Sequence, residues 1–408
     1  MDKYVKLGII GLGKRGASMV KEIFTNLDDV KIVAFSDVYE DKMLFAYEDA
    51  KEKIGEKPLF FTDYRDMLKK DIVDAVYISS AWESHSQIAI DAMEAGIITA
   101  MEVGGSYSVH ECWELVKTYE KNKTPFMFME NCCYGKEELL GTALVRHGIL
   151  GEVSHCSGAY AHDLREEVTH GKELRHYRLR NYIARNCENY PTHELGPIAK
   201  LLNINRGNRM VSLVSVSSKG VGLKAYIDAN KENLEPELQT TTFNQGDIVD
   251  TIIKCENGET IHIKLDTTLP RYYDRDFTVH GTKGLFKQTG RILYLDGQKE
   301  SFDSTSNLEL FGKKADEYNY LLPKAWREVT EEQIKQGHGG MDYLLCRSFI
   351  DCVKSGEEMP IDVYDGASWM VITALSSKSI ALGSMPVDIP DFTEGKYLLR
   401  EPKDVLDL

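Results

Sequence analysis

Over the first 130 residues, short apolar runs alternate with amphipathic stretches. VKLGIIGLG reads as a strand entering a glycine turn, and ASMVKEIFTNL continues as a helix. KIVAFSDV is a second strand, YEDKMLFAYEDAKEKIG is helical, and LFFTDYRDML holds a short strand and the start of a helix. DAVYISSA, IITAMEV and PFMFMEN are further strands, separated by the helical HSQIAIDAMEAG and ECWELVKTYEKNK. Strands and helices in this alternation predict a parallel, doubly wound α/β sheet of Rossmann type. Right-handed crossovers then bring the strand C-termini to one edge, where ligands bind.

Beyond about residue 150 the period changes to two. MVSLVSVSSKG, DIVDTIIKCENGETIHIKLDTTL, RDFTVHGTKGLFKQTGRILYLDG and QKESFD alternate with turn signals such as Glu256-Asn257-Gly258. This predicts an open, mostly antiparallel sheet with one covered face. Helical segments precede it (THELGPIAKLLNI) and follow it (MDYLLCRSFIDCVKSG, YDGASWMVITALSSKSIAL). The expected division is residues 1–129 as a dinucleotide-binding domain, 130–385 as an α+β domain for substrate and oligomerisation, and 386–408 as a tail packing back. The polar section 303–340 is expected to be an irregular loop near the site.

The 408 residues exceed one ordinary core, in keeping with two domains. A hydrophobic share of 42% and a charged share of 28% are those of a globular enzyme. The formal net charge of −15 argues against nucleic acid and against an anionic membrane surface as partners. Eight cysteines without CxxC spacing read as free thiols, and Cys132 and Cys133 as packing residues. The first strand begins almost at the N-terminus and no apolar run could span a bilayer, so a cytoplasmic location is expected.

Gly11, Gly13 and Gly16 form G-L-G-K-R-G between a strand and a helix. The first glycine permits the tight turn, the second admits a pyrophosphate, and the third lets helix and strand pack closely. The second strand ends at Asp37, about twenty residues on, placed to accept from ribose hydroxyls and to repel a 2′-phosphate. NAD is therefore the expected cofactor. The next strand ends supply Trp82 and His85, then Glu102 and Val103, with Trp82 a candidate wall of the nicotinamide pocket.

From Glu130 to Arg209 the chain concentrates hydrogen-bonding and titratable side chains: Glu130, Asn131, Tyr160, His162, Asp163, Arg178, Tyr190 and His193. With LGKRG, AWESH, ECWELV, ENCCYG, GAYAHDLR, NYPTHELGPI, LPRYYDR, GHGGMDY, VYDGASW and PDFTEGKY, the chain resembles the Gfo/Idh/MocA group, and within it glycoside hydrolase family 109. That resemblance implies an NAD-dependent α-N-acetylgalactosaminidase-like enzyme. It implies cofactor contacts from Lys14, Arg15, Asp37, Trp82, Glu83, Ser84, His85, Glu102, Val103 and Asn131, beside the glycines. Sugar contacts are implied for Tyr160, Arg178, Tyr190, Pro191, Thr192, His193 and Tyr273, with Glu130 a further candidate. Two departures stand out. The Lys-Pro that follows the fifth strand in many members of the wider group is replaced by Val103-Gly104, and Glu194 replaces a glycine after the Tyr-Pro-Thr-His run.

Transient oxidation at sugar C3 would acidify the C2 proton and allow the C1 substituent to leave. Water addition and re-reduction would complete hydrolysis with no net redox. Such a route needs a base near C2 and charge stabilisation for an enolate. Tyr160, His162 and His193 are the expected catalytic groups, with Tyr160 or His193 as the C2 base and His162 assisting. The substrate is then a small-molecule sugar or glycoside, and no metal is called for. A net sugar or cyclitol dehydrogenase is the competing reading. His338 is expected either to enter the site or to cap the helix beginning at Met341. An open sheet with one exposed face also predicts a homo-oligomer.

Overall fold

The alternation over residues 5–129 builds a six-stranded, wholly parallel sheet. Its strands are β1 (Val5–Ile10), β2 (Val30–Ser36), β3 (Leu59–Phe61), β4 (Ala75–Ile78), β5 (Ile98–Glu102) and β6 (Phe126–Met129), in the order β3-β2-β1-β4-β5-β6. The computed structural model describes residues 4–298 and 308–408. Strands β4 and β6 are buried at every position, as a sheet covered on both faces requires. The order turns back on itself between β1 and β4, the position where ligands bind such sheets.

Two compact units emerge, and they cut the chain differently from the sequence-derived boundaries. Unit 1 is Met1–Tyr134 together with Glu328–Ala367, and unit 2 is Gly135–Arg327 together with Ser368–Leu408. The later segment joins unit 1 through the buried Leu345, Phe349 and Ile350 of the helix Met341–Ser355 and through polar ties that hydrophobic periodicity does not reveal. Arg347 makes two bonds to Asp29, at 2.7 and 2.9 Å, and the Phe128 amide donates to the Ile361 carbonyl at 2.9 Å.

Unit 2 holds an eight-stranded sheet in the order β13-β12-β11-β7-β10-β9-β8-β14. Its strands are β7 (Val153–Ala161), β8 (Met210–Ser217), β9 (Ile248–Cys255), β10 (Thr260–Asp266), β11 (Thr278–Gly281), β12 (Gly284–Lys287), β13 (Ile292–Leu295) and β14 (Val387–Asp388). Only β7 and β10 run parallel; the other pairs are antiparallel. Burial along β9 and β10 alternates strictly, so one face is covered while Ile252 and Val216 stand exposed. The tail packs back onto unit 2 through β14, and Arg146 grips Asp404 at 2.9 Å.

The section read as an irregular loop is largely helical where described, with helices at Leu308–Asp316, Lys324–Glu328 and Glu331–Ile334. Thr330 and Gln333 form a capping box on the last of these, a local signal that outweighs the polar composition. Most of the expected QKESFD strand lies outside the described residues.

Candidate functional site

The glycine turn of unit 1 shows why each glycine stands where it does. Gly11 has φ +90°, and a Cβ there would lie 2.4 Å from the Ser80 amide nitrogen. A Cβ on Gly16 would lie 2.0 Å from the Gly11 carbonyl oxygen. At Gly13 the nearest neighbour is the Lys42 ammonium at 3.9 Å, so the space above it is open. The helix Lys14–Glu22 begins there with no side-chain cap, leaving its N-terminal N–H groups directed at that space. Asp37 is oriented by the Leu12 and Tyr39 amides, at 2.7 and 3.0 Å. An open glycine, an uncapped helix start and an oriented carboxylate suit a dinucleotide. Lys14 and Glu83 are exposed, and Ser84 is tied to Ser80 at 2.8 Å.

At the ends of β4 and β5, Trp82, His85, Glu102 and Val103 are all buried. The His85 Nε2 lies 2.9 Å from the Ser80 carbonyl, and burial holds its pKa below the ordinary value, so the ring is neutral. A Cβ at Gly104 would sit 2.7 Å from the Trp82 indole. The Val-Gly pair that displaces Lys-Pro is thus matched to a tryptophan lying against the backbone.

The arginine of the glycine turn is held within the protein. Its Nε donates to the Glu102 carboxylate at 2.9 Å, and its Nη1 and Nη2 donate to the two Asp342 oxygens at 2.7 and 2.9 Å. Burial disfavours the Arg15 charge, but Glu102 and Asp342 outweigh it and keep the guanidinium ionised. Asn131 donates its amide to Asp342 at 2.8 Å. Of the expected cofactor ligands, Arg15, Glu102 and Asn131 therefore meet around Asp342, a residue that sequence reasoning did not select. The long motif GHGGMDY was its signal. Glu130 is wholly buried and accepts the Cys132 amide at 2.9 Å.

In unit 2, β7 and the helix Thr192–Leu201 gather the second set of residues. Tyr160 and His162, two apart, do share a side: the phenol oxygen lies 3.1 Å from the His162 Nδ1. The Tyr160 ring lies 4.7 Å from Tyr190, 5.5 Å from His193 and 6.4 Å from Tyr273, centroid to centroid. Tyr273 is also 5.1 Å from His162. The Arg178 guanidinium carbon sits 4.9 Å from the Tyr190 ring centre, and its Nε is 2.7 Å from Glu167. Glu167, the counter-ion, is a further residue that the motifs did not single out.

Burial raises the Tyr160 pKa well above that of an ordinary phenol, with Arg178 pulling in the opposite direction. Burial, then Arg178, lowers that of His162. The resting pair is a neutral phenol against a neutral imidazole, with a fixed positive charge close by. Both shifts keep the proton on the phenol at rest, and Arg178 opposes them only at Tyr160, where it lowers the cost of a phenolate.

Three further side chains around this cluster are placed by their packing. Thr192 does not cap its helix; it is the first helical residue, fully buried, after Pro191 at the N-cap. Glu194 points inward: it is 1% exposed, and its Cβ lies 2.9 Å from where a Cβ on Gly158 of β7 would be. Glycine at 158 is what lets the helix approach so closely. Asp163 is engaged by Arg165 at 2.6 Å. His338 bonds the Asp342 carboxylate at 2.7 Å, at the start of the helix Met341–Ser355. All eight cysteines are buried free thiols, as expected. No helix among the described residues is long and apolar enough to cross a membrane.

Just before Tyr190, Glu188 is completely buried, and burial pushes its pKa up to about 8. The native state therefore binds a proton that the unfolded chain has released, so this group's stabilisation fades as pH rises from about 4.5 towards 8. Glu188→Gln is expected to remove that decline. Urea unfolding across this range checks it, and parallel curves for variant and parent would contradict it.

Residues 134–399 match the family model described as "Glycosyl hydrolase 109, C-terminal domain", and residues 5–129 match "Oxidoreductase family, NAD-binding Rossmann fold". The chain is 35% identical to a glycosyl hydrolase family 109 protein of Stenotrophomonas maltophilia, covering 98% of this chain and 91% of that one. It is 34% identical to an alpha-N-acetylgalactosaminidase of Tannerella forsythia, covering 98% and 89%. Among solved structures, a levoglucosan dehydrogenase complex aligns with TM-score 0.68 at 17% identity, covering 95% of this chain and 100% of that one. At that identity the likeness is one of fold.

Proposed function

Since this chain belongs to glycosyl hydrolase family 109 and carries the NAD-binding Rossmann fold of an oxidoreductase family, we propose that it is an NAD-dependent glycosidase acting on an α-linked N-acetylhexosamine or a closely related glycoside. The strongest support is the cluster in unit 2, where the Tyr160 phenol lies on the His162 imidazole at 3.1 Å with Arg178, Tyr190 and His193 around it. The name of the T. forsythia relative supports the sugar class.

Unit 1 would hold a nicotinamide that supplies a hydride acceptor for sugar C3 and the hydride for its later reduction, while whichever of Tyr160 and His193 is not the C2 base takes and returns the C3 hydroxyl proton. Asp37, held by two backbone amides, selects a free 2′-hydroxyl and hence NAD over NADP. Glu102, Trp82 and His85 belong to the same cofactor half. In unit 2, Tyr160 or His193 removes the C2 proton once C3 is a ketone, and His162 takes the proton from Tyr160. Arg178 opposes the charge of the enolate. The C1 substituent leaves with a proton, water adds at C1, and C2 is reprotonated by the group that deprotonated it. Tyr190 and Tyr273 offer ring faces to the sugar. The proposal extends to a homo-oligomer paired through the exposed face of the unit 2 sheet.

An aryl α-N-acetylgalactosaminide incubated with the purified protein and no added NAD tests this reading. Release of the phenol without accumulation of NADH is the expected result. NADH formed in step with sugar consumption, with no phenol, would replace the glycosidase with a net dehydrogenase.

A further inference from the structure

We propose that Asp342 is the positioning residue of the cofactor half-site, and that the turn Gly337-His338-Gly339-Gly340 exists to seat its carboxylate. The inference rests on NAD being the cofactor of unit 1. Asp342 is 1% exposed and bonds three partners at once: Arg15 through both oxygens at 2.7 and 2.9 Å, Asn131 at 2.8 Å, and His338 at 2.7 Å. Arg15 lies in the first turn of the helix that follows the glycine loop. Asn131 follows β6, and Glu102, the other carboxylate on Arg15, ends β5. One carboxylate thus couples the loop that would hold a pyrophosphate to the strand ends nearest the nicotinamide.

The turn is shaped around this group. Gly337, His338, Gly339 and Gly340 have φ of 46°, 40°, 68° and 96°, a run of left-handed residues that only glycine adopts at low cost. A Cβ at Gly337 would lie 2.5 Å from an Asp342 oxygen. His338 itself is held left-handed, and its imidazole closes on the same carboxylate.

Arg15 consequently acts through its backbone and as a strut. Its guanidinium lies between two carboxylates, so the donors it would present to a phosphate are already committed. Asn131, giving its N–H to Asp342, accepts the Cys132 thiol at 3.5 Å through its carbonyl oxygen, so both ends of its amide are held. Bidentate Arg–carboxylate geometry fixes direction as well as distance, which is what a positioning element requires.

The test is exchange of bound NAD for isotopically labelled NAD in the full-length protein, measured well below its melting temperature. Asp342→Asn, which keeps the shape and removes the charge, is expected to speed exchange about tenfold to hundredfold, with Asp342→Glu restoring part of the loss. The melting temperature of the NAD-stripped variant is read alongside. Exchange within twofold of the parent in a folded Asp342→Asn protein would overturn the proposal. Should that variant not fold, Gly337→Ala, which crowds the carboxylate without removing it, is expected to speed exchange in the same way, and no change there would equally overturn it. A parent protein that neither retains nor binds NAD would instead refute the cofactor reading on which the proposal rests.

Discussion

Tyr160→Phe is expected to lower kcat/KM by roughly 10²–10⁴-fold while leaving the protein folded, because it removes one hydroxyl from a ring that keeps its packing. The phenol is the group that His162 addresses at 3.1 Å, and no other hydroxyl is placed on that imidazole among the described contacts. Exchange of deuterium at sugar C2 isolates the step. The rate should collapse in Tyr160→Phe, or in His193→Ala if that residue is the base. Unchanged exchange in both would remove this pair from the mechanism. The pH profile carries a second mark. His162 must be neutral to accept a proton, and its pKa is lowered by burial and by Arg178, so the acid limb should lie below the ordinary histidine range.

Arg178→Leu is expected to reduce kcat by about 10²–10³-fold, the usual loss when a fixed positive group opposing developing oxyanion charge is removed. Folding stability should fall less, by about 1–3 kcal/mol, since Glu167 is partly exposed and can turn to water. The electrostatic role makes a sharper forecast than the size of the loss. Arg178 lowers the His162 pKa, so without it that pKa rises and the acid limb of the rate profile moves to higher pH. A variant with normal turnover and an unmoved acid limb would show that Arg178 only packs against Tyr190. Arg178→Lys, which keeps charge but loses the planar fork, should recover part of the turnover.

How far each site could be read from sequence follows from the range of the forces involved. The glycine turn and Asp37 were legible because tight turns, helix starts and strand ends are local, and a glycine at φ +90° beside the Ser80 backbone tolerates nothing else. The Tyr160–His162 pair was legible for the same reason: two residues apart on a strand means the same side. Glu194 was visible as an oddity but not interpretable. Whether a helical carboxylate lines a site or faces a strand depends on which neighbour packs against it, and here that neighbour is Gly158. Thr192 is no cap, although a hydroxyl at a helix start is a common one, because Pro191 holds that place here.

The least legible feature is the return of Glu328–Ala367 to unit 1. Its apolar spacing marks helices but not the body they join. That choice is made by the buried Leu345, Phe349 and Ile350 of the helix Met341–Ser355, together with Arg347 on Asp29 and Asp342 on Arg15 and Asn131, polar pairs separated by more than two hundred residues. The sequence by itself determined the order of elements up to about residue 300, the parallel and mostly antiparallel characters of the two sheets, the glycine turn and the family, because periodicity, turn chemistry and long motifs are written locally along the chain. The tertiary structure alone decided which charges meet, which carboxylates are interior, and that Arg15 is a strut. Those outcomes depend on burial and on distances of about 3 Å between remote residues, which spacing along the chain does not encode.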